Sequence, residues 1–256
     1  MSSHQIDGKH IVITGGTSGI GLELITQLYP NNQITVLARP SERLSSLARS
    51  FPELTIHQTD LSDLEQTKAA IQSLLAINRT IDVLINNAAV QYSPIFSDSE
   101  FDPNSVEVEV NTNLSSPILL IHGLIPLLQR SSSAMIININ SGLGLVPKTT
   151  SAVYCATKGG LNILSQSLHH QLAPLGIHVG EAFVPLVDTP MTEGRGSGKI
   201  SPQKAAADII SGIETKKTNK RYRKSQIVAH LKPNIPKSCR TDYAEKLAEF
   251  LRHAHS

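Results

Sequence analysis

The chain has 256 residues, 40% hydrophobic and 17% charged, with a formal net charge of +2; that is enough apolar material for one soluble core, and the near-neutral charge gives no general reason to expect nucleic acid. Its longest apolar runs fall far short of the ~20 residues that cross a bilayer, and the polar start MSSHQIDGKH lacks a signal-peptide core. Two cysteines, Cys155 and Cys239, are too few for a disulfide scaffold, so the expectation is a single domain over residues 1–256 in a reducing cytoplasm.

Short aliphatic runs alternate with segments of helical period as far as about residue 183, the pattern of repeated βα units. The spacing predicts strands at 10–14, 33–38, 54–58, 82–86, 134–140 and 176–184. Helices are predicted at 19–28, 41–50, 62–77, 114–130, 152–174 and 201–214. Ser41 and Ser62 stand at N-cap positions, and Ser201 is followed by Pro202 at a first helical position. A last strand is predicted at 226–231 and a final helix at 242–253. The fold class implied is α/β: a doubly wound parallel sheet of about seven strands between two layers of helices, with ligands bound beyond the strand C-termini.

After the first strand comes Thr14-Gly15-Gly16-Thr17-Ser18-Gly19-Ile20-Gly21, and a helix follows. Glycines let backbone turn sharply and approach a pyrophosphate, which rests on the free N–H groups and positive end of the helix. The same residues would also make an ordinary tight turn; their place in the first of several βα units favours a nucleotide. At the end of the second strand an acidic residue would take the ribose 2′-OH of NAD. Position 38 is alanine and Arg39 follows, whose guanidinium can fork onto a 2′-phosphate with Ser18 and Arg43 assisting. NADP(H) is therefore expected in preference to NAD(H); the weaker competing reading of Arg39 is a cation that solvates a loop.

The run Tyr154-Cys155-Ala156-Thr157-Lys158 opens a long amphipathic helix, thirteen residues after Ser141 at the end of a strand. Residues four apart share a helix face, so Tyr154 and Lys158 point the same way. A nearby ammonium, with the positive nicotinamide of an oxidised cofactor, favours the phenolate and draws a phenol toward a useful proton-transfer range. Ser141 can stabilise charge on a substrate oxygen. A lone pair of this kind would more often be a snorkelling lysine beside a half-buried tyrosine; Ser141 and the glycine loop tip the reading toward catalysis.

The glycine spacing within Thr14–Gly21 and the Ser141, Tyr154, Lys158 set together resemble the short-chain dehydrogenase/reductase family. The resemblance covers residues 8 to about 191 and implies a Rossmann-type fold with one sheet supplying both cofactor and catalytic sites. It implies a cofactor set of Gly15, Thr17, Ser18, Gly19, Ile20, Gly21 and Arg39, with Asp60-Leu61 at the adenine and Asn87-Ala88 in a segment after the fourth strand. Ala89 replaces that segment's usual glycine. The family's lysine also bonds the nicotinamide ribose, so Tyr154 and Lys158 belong to both sets. Val187 and Thr189 match the residues that hold the nicotinamide carboxamide, while Val184-Pro185 replaces a Pro-Gly pair. Asn113 matches the family's fourth catalytic residue. Pro117 has no N–H for the Asn113 carbonyl four residues back, leaving it able to hold a proton-relaying water; Asn113 is also a simple candidate for a helix cap.

The loop 192–199, with three glycines in eight residues, sits where the resemblance places a substrate lid, within a wider region near 190–215. Leu143, Leu145, Val184 and Pro185, with Gln91 and Tyr92, suggest a carbonyl or alcohol substrate on an apolar body. Six cations between Lys216 and Lys224 read first as a solvated surface and second as a dock for an acidic carrier protein. The histidines at 169, 170, 253 and 255 have no metal-ligand spacing, so no metal is expected. The resemblance also implies a homodimer or homotetramer through the helices near Asn113 and Ala152. The competing functional class is a dinucleotide-sensing or scaffolding protein that keeps the fold without turnover; sugar-nucleotide epimerase or dehydratase chemistry suits the length and glycine spacing less well.

Overall fold

Aliphatic runs too short for helices become six parallel strands: β1 (His10–Thr14), β2 (Gln33–Ala38), β3 (Thr55–Gln58), β4 (Val83–Asn86), β5 (Met135–Ser141) and β6 (His178–Val184). The structure is a computed structural model and describes residues 6–92, 95–99 and 101–215. The strands form one sheet in the order β3-β2-β1-β4-β5-β6, so the order reverses between β1 and β4. The predicted strand at 226–231, the helix at 242–253, the basic run 216–224 and Cys239 lie outside the described residues.

Period-two alternation along the strands builds two cores. Ile11 and Ile13 of β1 face one core with Val83 and Ile85 of β4, while Val12 and Leu84 face the other. The first core is covered by α1 (Gly19–Leu28), α2 (Glu42–Ser50) and α7 (Pro202–Glu214) through residues such as Leu24, Leu44 and Ile209. The second is covered by α3 (Leu64–Ile77), α5 (Ser116–Leu128) and α6 (Ala152–Leu172) through Ile71, Leu124 and Leu172. This is the expected three-layer α/β/α arrangement, buried on both faces as a parallel sheet requires.

The caps at Ser41 and Ser201 form as the sequence suggests: each hydroxyl accepts from the N–H three residues on, Leu44 at 3.1 Å and Lys204 at 3.2 Å. The cap of α3 is Asp63 rather than Ser62, because its carboxylate takes both the Glu65 and Gln66 N–H groups, at 2.9 and 3.1 Å, whereas Ser62 is itself held by Asp60. The helix expected to begin at residue 114 has a longer course. An unpredicted helix α4 (Pro103–Val110), capped by Asp102, runs through one π turn (Asn111–Ser115) directly into α5. Asn113 is thus inside a continuous helical run and is not its cap. Pro117, which cannot donate to the carbonyl four residues back, is accommodated where the backbone widens to bond Ser116 N–H to Asn111 O.

Ile85 lies fully buried at the centre of the sheet. Ile85→Ala is expected to lower unfolding free energy by about 2–5 kcal/mol, measured by urea denaturation; a loss below 1 kcal/mol would contradict this placement of the core.

Candidate functional site

Where β1 and β4 end side by side, their loops are stitched together. Thr14 Oγ1 accepts from the N–H groups of both Asn87 and Ala88, each at 3.0 Å, and Asn87 Nδ2 donates to the carbonyls of Thr14 and Gly15. Gly15 has φ +69°, and a Cβ there would stand 2.9 Å from Ala88 Cα. A Cβ on Gly21 would stand 1.9 Å from the Gly15 carbonyl oxygen. Only glycine fits either place, which leaves a cradle of bare backbone. The N-cap of α1, Ser18, makes no side-chain cap bond, and it lines a cleft of about 1460 Å³ running along the strand ends. Helix N–H groups beside that cleft favour an anion.

The cleft is lined by every residue the sequence assigns to a cofactor, from Gly15 and Ser18 through Arg39, Asp60 and Asn87 to Val187 and Thr189. Arg39 is exposed at the end of β2, with Arg43 beside it on the lining. Thr189 reaches the glycine loop: its Cγ2 lies 2.9 Å from where a Cβ of Gly19 would be. An adenine dinucleotide fits this cradle, with a diphosphate against the α1 terminus and a cationic place for a further phosphate.

At the other end stand Ser141, Tyr154 and Lys158. Ser141 ends β5, and its Oγ caps the following turn by accepting from Leu143 N–H at 3.2 Å. Tyr154 and Lys158 are one turn apart on α6 and both buried, with Lys158 Nζ 5.8 Å from the Tyr154 ring centre. The ammonium donates to the Ile139 carbonyl at 2.9 Å. Burial holds the lysine down to about 8, opposed by the Glu181 carboxylate. Burial pushes the Tyr154 phenol up to about 12; a hydrogen bond with Ser141 pulls it back, the Glu109 carboxylate raises it further, and the Arg195 cation lowers it. The expected downward pull on the phenol is thus outweighed in the structure by desolvation.

Asn113 does not line the cleft. Its side chain instead brackets the main chain of Val90, accepting from Val90 N–H at 2.9 Å and donating to Val90 O at 2.8 Å, with a further contact to Thr157. Among the pocket candidates, Leu143, Val184, Pro185 and Gln91 line the cleft, whereas Leu145 and Tyr92 do not. The sequence reading missed Arg195 and Lys148, both on the lining, and Glu109, which is buried behind Tyr92 and accepts from its N–H at 3.1 Å. Arg195 sits between two glycines, a context that signals loop and hides the side chain's destination. Among the described residues no group of acids, histidines and cysteines could hold a metal ion, and no helix is long and apolar enough to cross a membrane.

Comparison with known proteins agrees with this geometry. The family model described as short chain dehydrogenase matches residues 9–199. An uncharacterized oxidoreductase of Bacillus subtilis, DltE, is 32% identical over 195 residues, covering 74% of this chain and 75% of that protein. A short-chain dehydrogenase from Sphingobium yanoikuyae in complex with NADPH superposes with a TM-score of 0.73 at 25% identity, covering 81% of this chain and 84% of that one. A metagenomic short-chain oxidoreductase in complex with NADP gives 0.70 at 28% identity, with 82% and 92% covered. Sequence, fold and cleft converge, and the chain belongs to the short-chain dehydrogenases.

Proposed function

We propose that the chain is an NADP(H)-dependent carbonyl reductase, or an alcohol dehydrogenase in the reverse direction, with Tyr154 as acid and base. The observation that carries the reading is Ser141, Tyr154 and Lys158 gathered on the same cleft as the glycine cradle, with Tyr154 and Lys158 both buried one turn apart on α6. Gly15, Thr17, Ser18, Gly19, Ile20 and Gly21 hold the diphosphate of the cofactor, and Asp60, Leu61, Asn87 and Ala88 flank its adenosine half. Val187 and Thr189 hold the carboxamide, and Tyr154 and Lys158 the adjoining ribose. Arg39, with Ser18 and Arg43, takes the 2′-phosphate; the NADP and NADPH complexes of the two solved relatives support this choice. When bound, the nicotinamide supplies hydride to a carbonyl carbon or accepts it from an alcohol carbon.

This chain's residues manage the proton. A phenol held up to about 12 is neutral at physiological pH, the form that donates a proton to a carbonyl oxygen as negative charge builds there. Ser141 donates a hydrogen bond to the same oxygen. Lys158, held down to about 8, releases and regains a proton within the physiological range and resupplies Tyr154. The Asn113 carbonyl, lacking a donor from Pro117, holds the water through which that proton exchanges with solvent, while the Asn113 side chain fixes Val90. Residues 192–199 act as the lid over the cleft. A two-fold assembly through α5 and α6 is supported by Ile118 and Ile163, which leave apolar surface at 39% and 61% exposure on those helices.

Tyr154→Phe is expected to lower kcat/KM about 10²–10⁴-fold, followed as NADPH oxidation with a panel of aldehydes, ketones and diketones; turnover at the wild-type level would sink the acid–base assignment. Arg39→Asp is expected to weaken NADPH binding about tenfold to a hundredfold, the worth of one charged hydrogen bond, and to narrow the gap to NADH in a fluorescence titration. Equal NADPH affinity in the variant would reject the 2′-phosphate site.

A further inference from the structure

The strand pair β5 and β6 ends with Ser141 opposite Val184, so the chain that runs on from Val184 to Val187 leaves the sheet beside the end of β5. Leu186, on that passage, is met by the lid: a Cβ on Gly196, which has φ +61°, would lie 2.6 Å from Leu186 Cδ2. Gly196 carries Arg195 with it. Arg195 N–H is donated to Thr192 O at 3.0 Å. Lys199 ties down the far side, donating to Thr192 O at 2.7 Å and to Asp188 Oδ1 at 3.1 Å. A bridge between Val187 and Ile200 closes the base of the loop. The backbone at Arg195 is therefore held by contacts on both sides of it, and Arg195 lines the same cleft as Ser141 and lies near enough to Tyr154 for its charge to act on the phenol.

Its guanidinium is placed but not used. Arg195 Nη1 is shielded from solvent and has no hydrogen-bond partner among the described residues, and none of their carboxylates pairs with Arg195. A guanidinium nitrogen removed from water without a partner is costly, and the cost is recovered when an anion arrives. The carboxylates on the cleft lining, Glu42 and Asp60, belong to the chain leaving β2 and β3 at the opposite end. Around Tyr154 the charged residues of the lining are Arg195, Lys148 and Lys158. The Arg195 cation acts on the Tyr154 phenol, lowering its pKa against the larger effects of burial and of the Glu109 carboxylate, which is buried off the cleft lining.

We propose that Arg195 recognises a carboxylate on the substrate, so that the compound reduced is an oxo acid whose carbonyl lies against Ser141 and Tyr154 while its acid group pairs with the guanidinium. The apolar walls Leu143, Val184 and Pro185 then take the carbon skeleton between the two polar groups. The planar fork of arginine suits a carboxylate in two parallel hydrogen bonds. This deepens the oxidoreductase reading and rests on it for the position of the carbonyl.

The test uses para-carboxybenzaldehyde and levulinate, each against its methyl ester. Binding to the full chain saturated with NADP⁺ is measured by calorimetry, and reduction of the same compounds by NADPH oxidation. The acids are expected to bind and react better than their esters. Arg195→Met should lower the acid-to-ester ratio of kcat/KM at least tenfold, and Arg195→Lys should restore part of it. A ratio that Arg195→Met leaves where it was, acids that do not bind, or a loss confined to NADPH affinity each overturns the anion site. Acids that bind through Arg195 but are not reduced leave the anion site standing and reject the oxidoreductase reading; reduction with a ratio independent of Arg195 does the reverse.

Discussion

Two strands that lie side by side in the sheet, β1 and β4, send their chains to opposite faces, and the gap this opens is held at a fixed width by one threonine. Thr14 Oγ1 accepts two backbone N–H groups from the β4 loop, and Asn87 returns donors to the β1 loop. With that seam fixed, Gly15 and Gly21 leave bare backbone facing the cleft, because any side chain would strike Ala88 or the Gly15 carbonyl. The rest of the site is assembled against this seam. Thr189 reaches over to Gly19, and the π turn carrying Asn113 clamps Val90, three residues beyond Asn87. The order of the sheet thus decides where a dinucleotide fits before any side chain chooses which one.

Chemistry in the proposed mechanism depends on a second constraint, the burial of the Tyr154 and Lys158 side chains. Burial moves the two groups in opposite directions, the phenol up to about 12 and the ammonium down to about 8. The tyrosine therefore keeps its proton and the lysine lets one go more readily, the reverse of their ordering by ordinary acidity. For carbonyl reduction that is the form required. For alcohol oxidation the phenol must be drawn down by positive charge at the same place, which the oxidised nicotinamide brings. Glu181 opposes the loss of charge on Lys158 and is itself held by Asn140 Nδ2 at 2.7 Å, the same nitrogen that donates to the Lys158 carbonyl at 3.1 Å.

Much of this was legible in the sequence because it is local. The glycine loop, the caps at Ser41 and Ser201, and the one-turn spacing of Tyr154 and Lys158 each depend on neighbours a few residues away. The strands were legible as short aliphatic runs, since a run buried on both faces sends alternate residues into the two cores. What failed depended on distant partners or on competition between near-equivalent residues. Asp63 displaces Ser62 as a cap because a carboxylate takes two N–H groups at once. The helix α4 runs on through Asn113 because Asn113 is bonded to Val90 and Thr157, so it cannot serve as a cap. Lys158 points at the carbonyl of Ile139, and Arg195 stands over the cleft from a glycine loop; both facts belong to the fold and leave no mark in the local pattern. Of the residues read as apolar walls, Leu143, Val184 and Pro185 line the cleft and Leu145 does not, and the local pattern gave no sign of Arg195 and Lys148 beside them.

The central claim is that burial keeps the Tyr154 proton in place until cofactor charge releases it. Phenolate absorbance, taken as the difference between the wild-type chain and Tyr154→Phe, follows this one group against pH with and without saturating NADP⁺. The account predicts that Tyr154 ionises near 12 in the protein alone and much closer to neutrality with NADP⁺ bound. A Tyr154 already ionised at neutral pH without the cofactor, or a titration that NADP⁺ does not move, would contradict it.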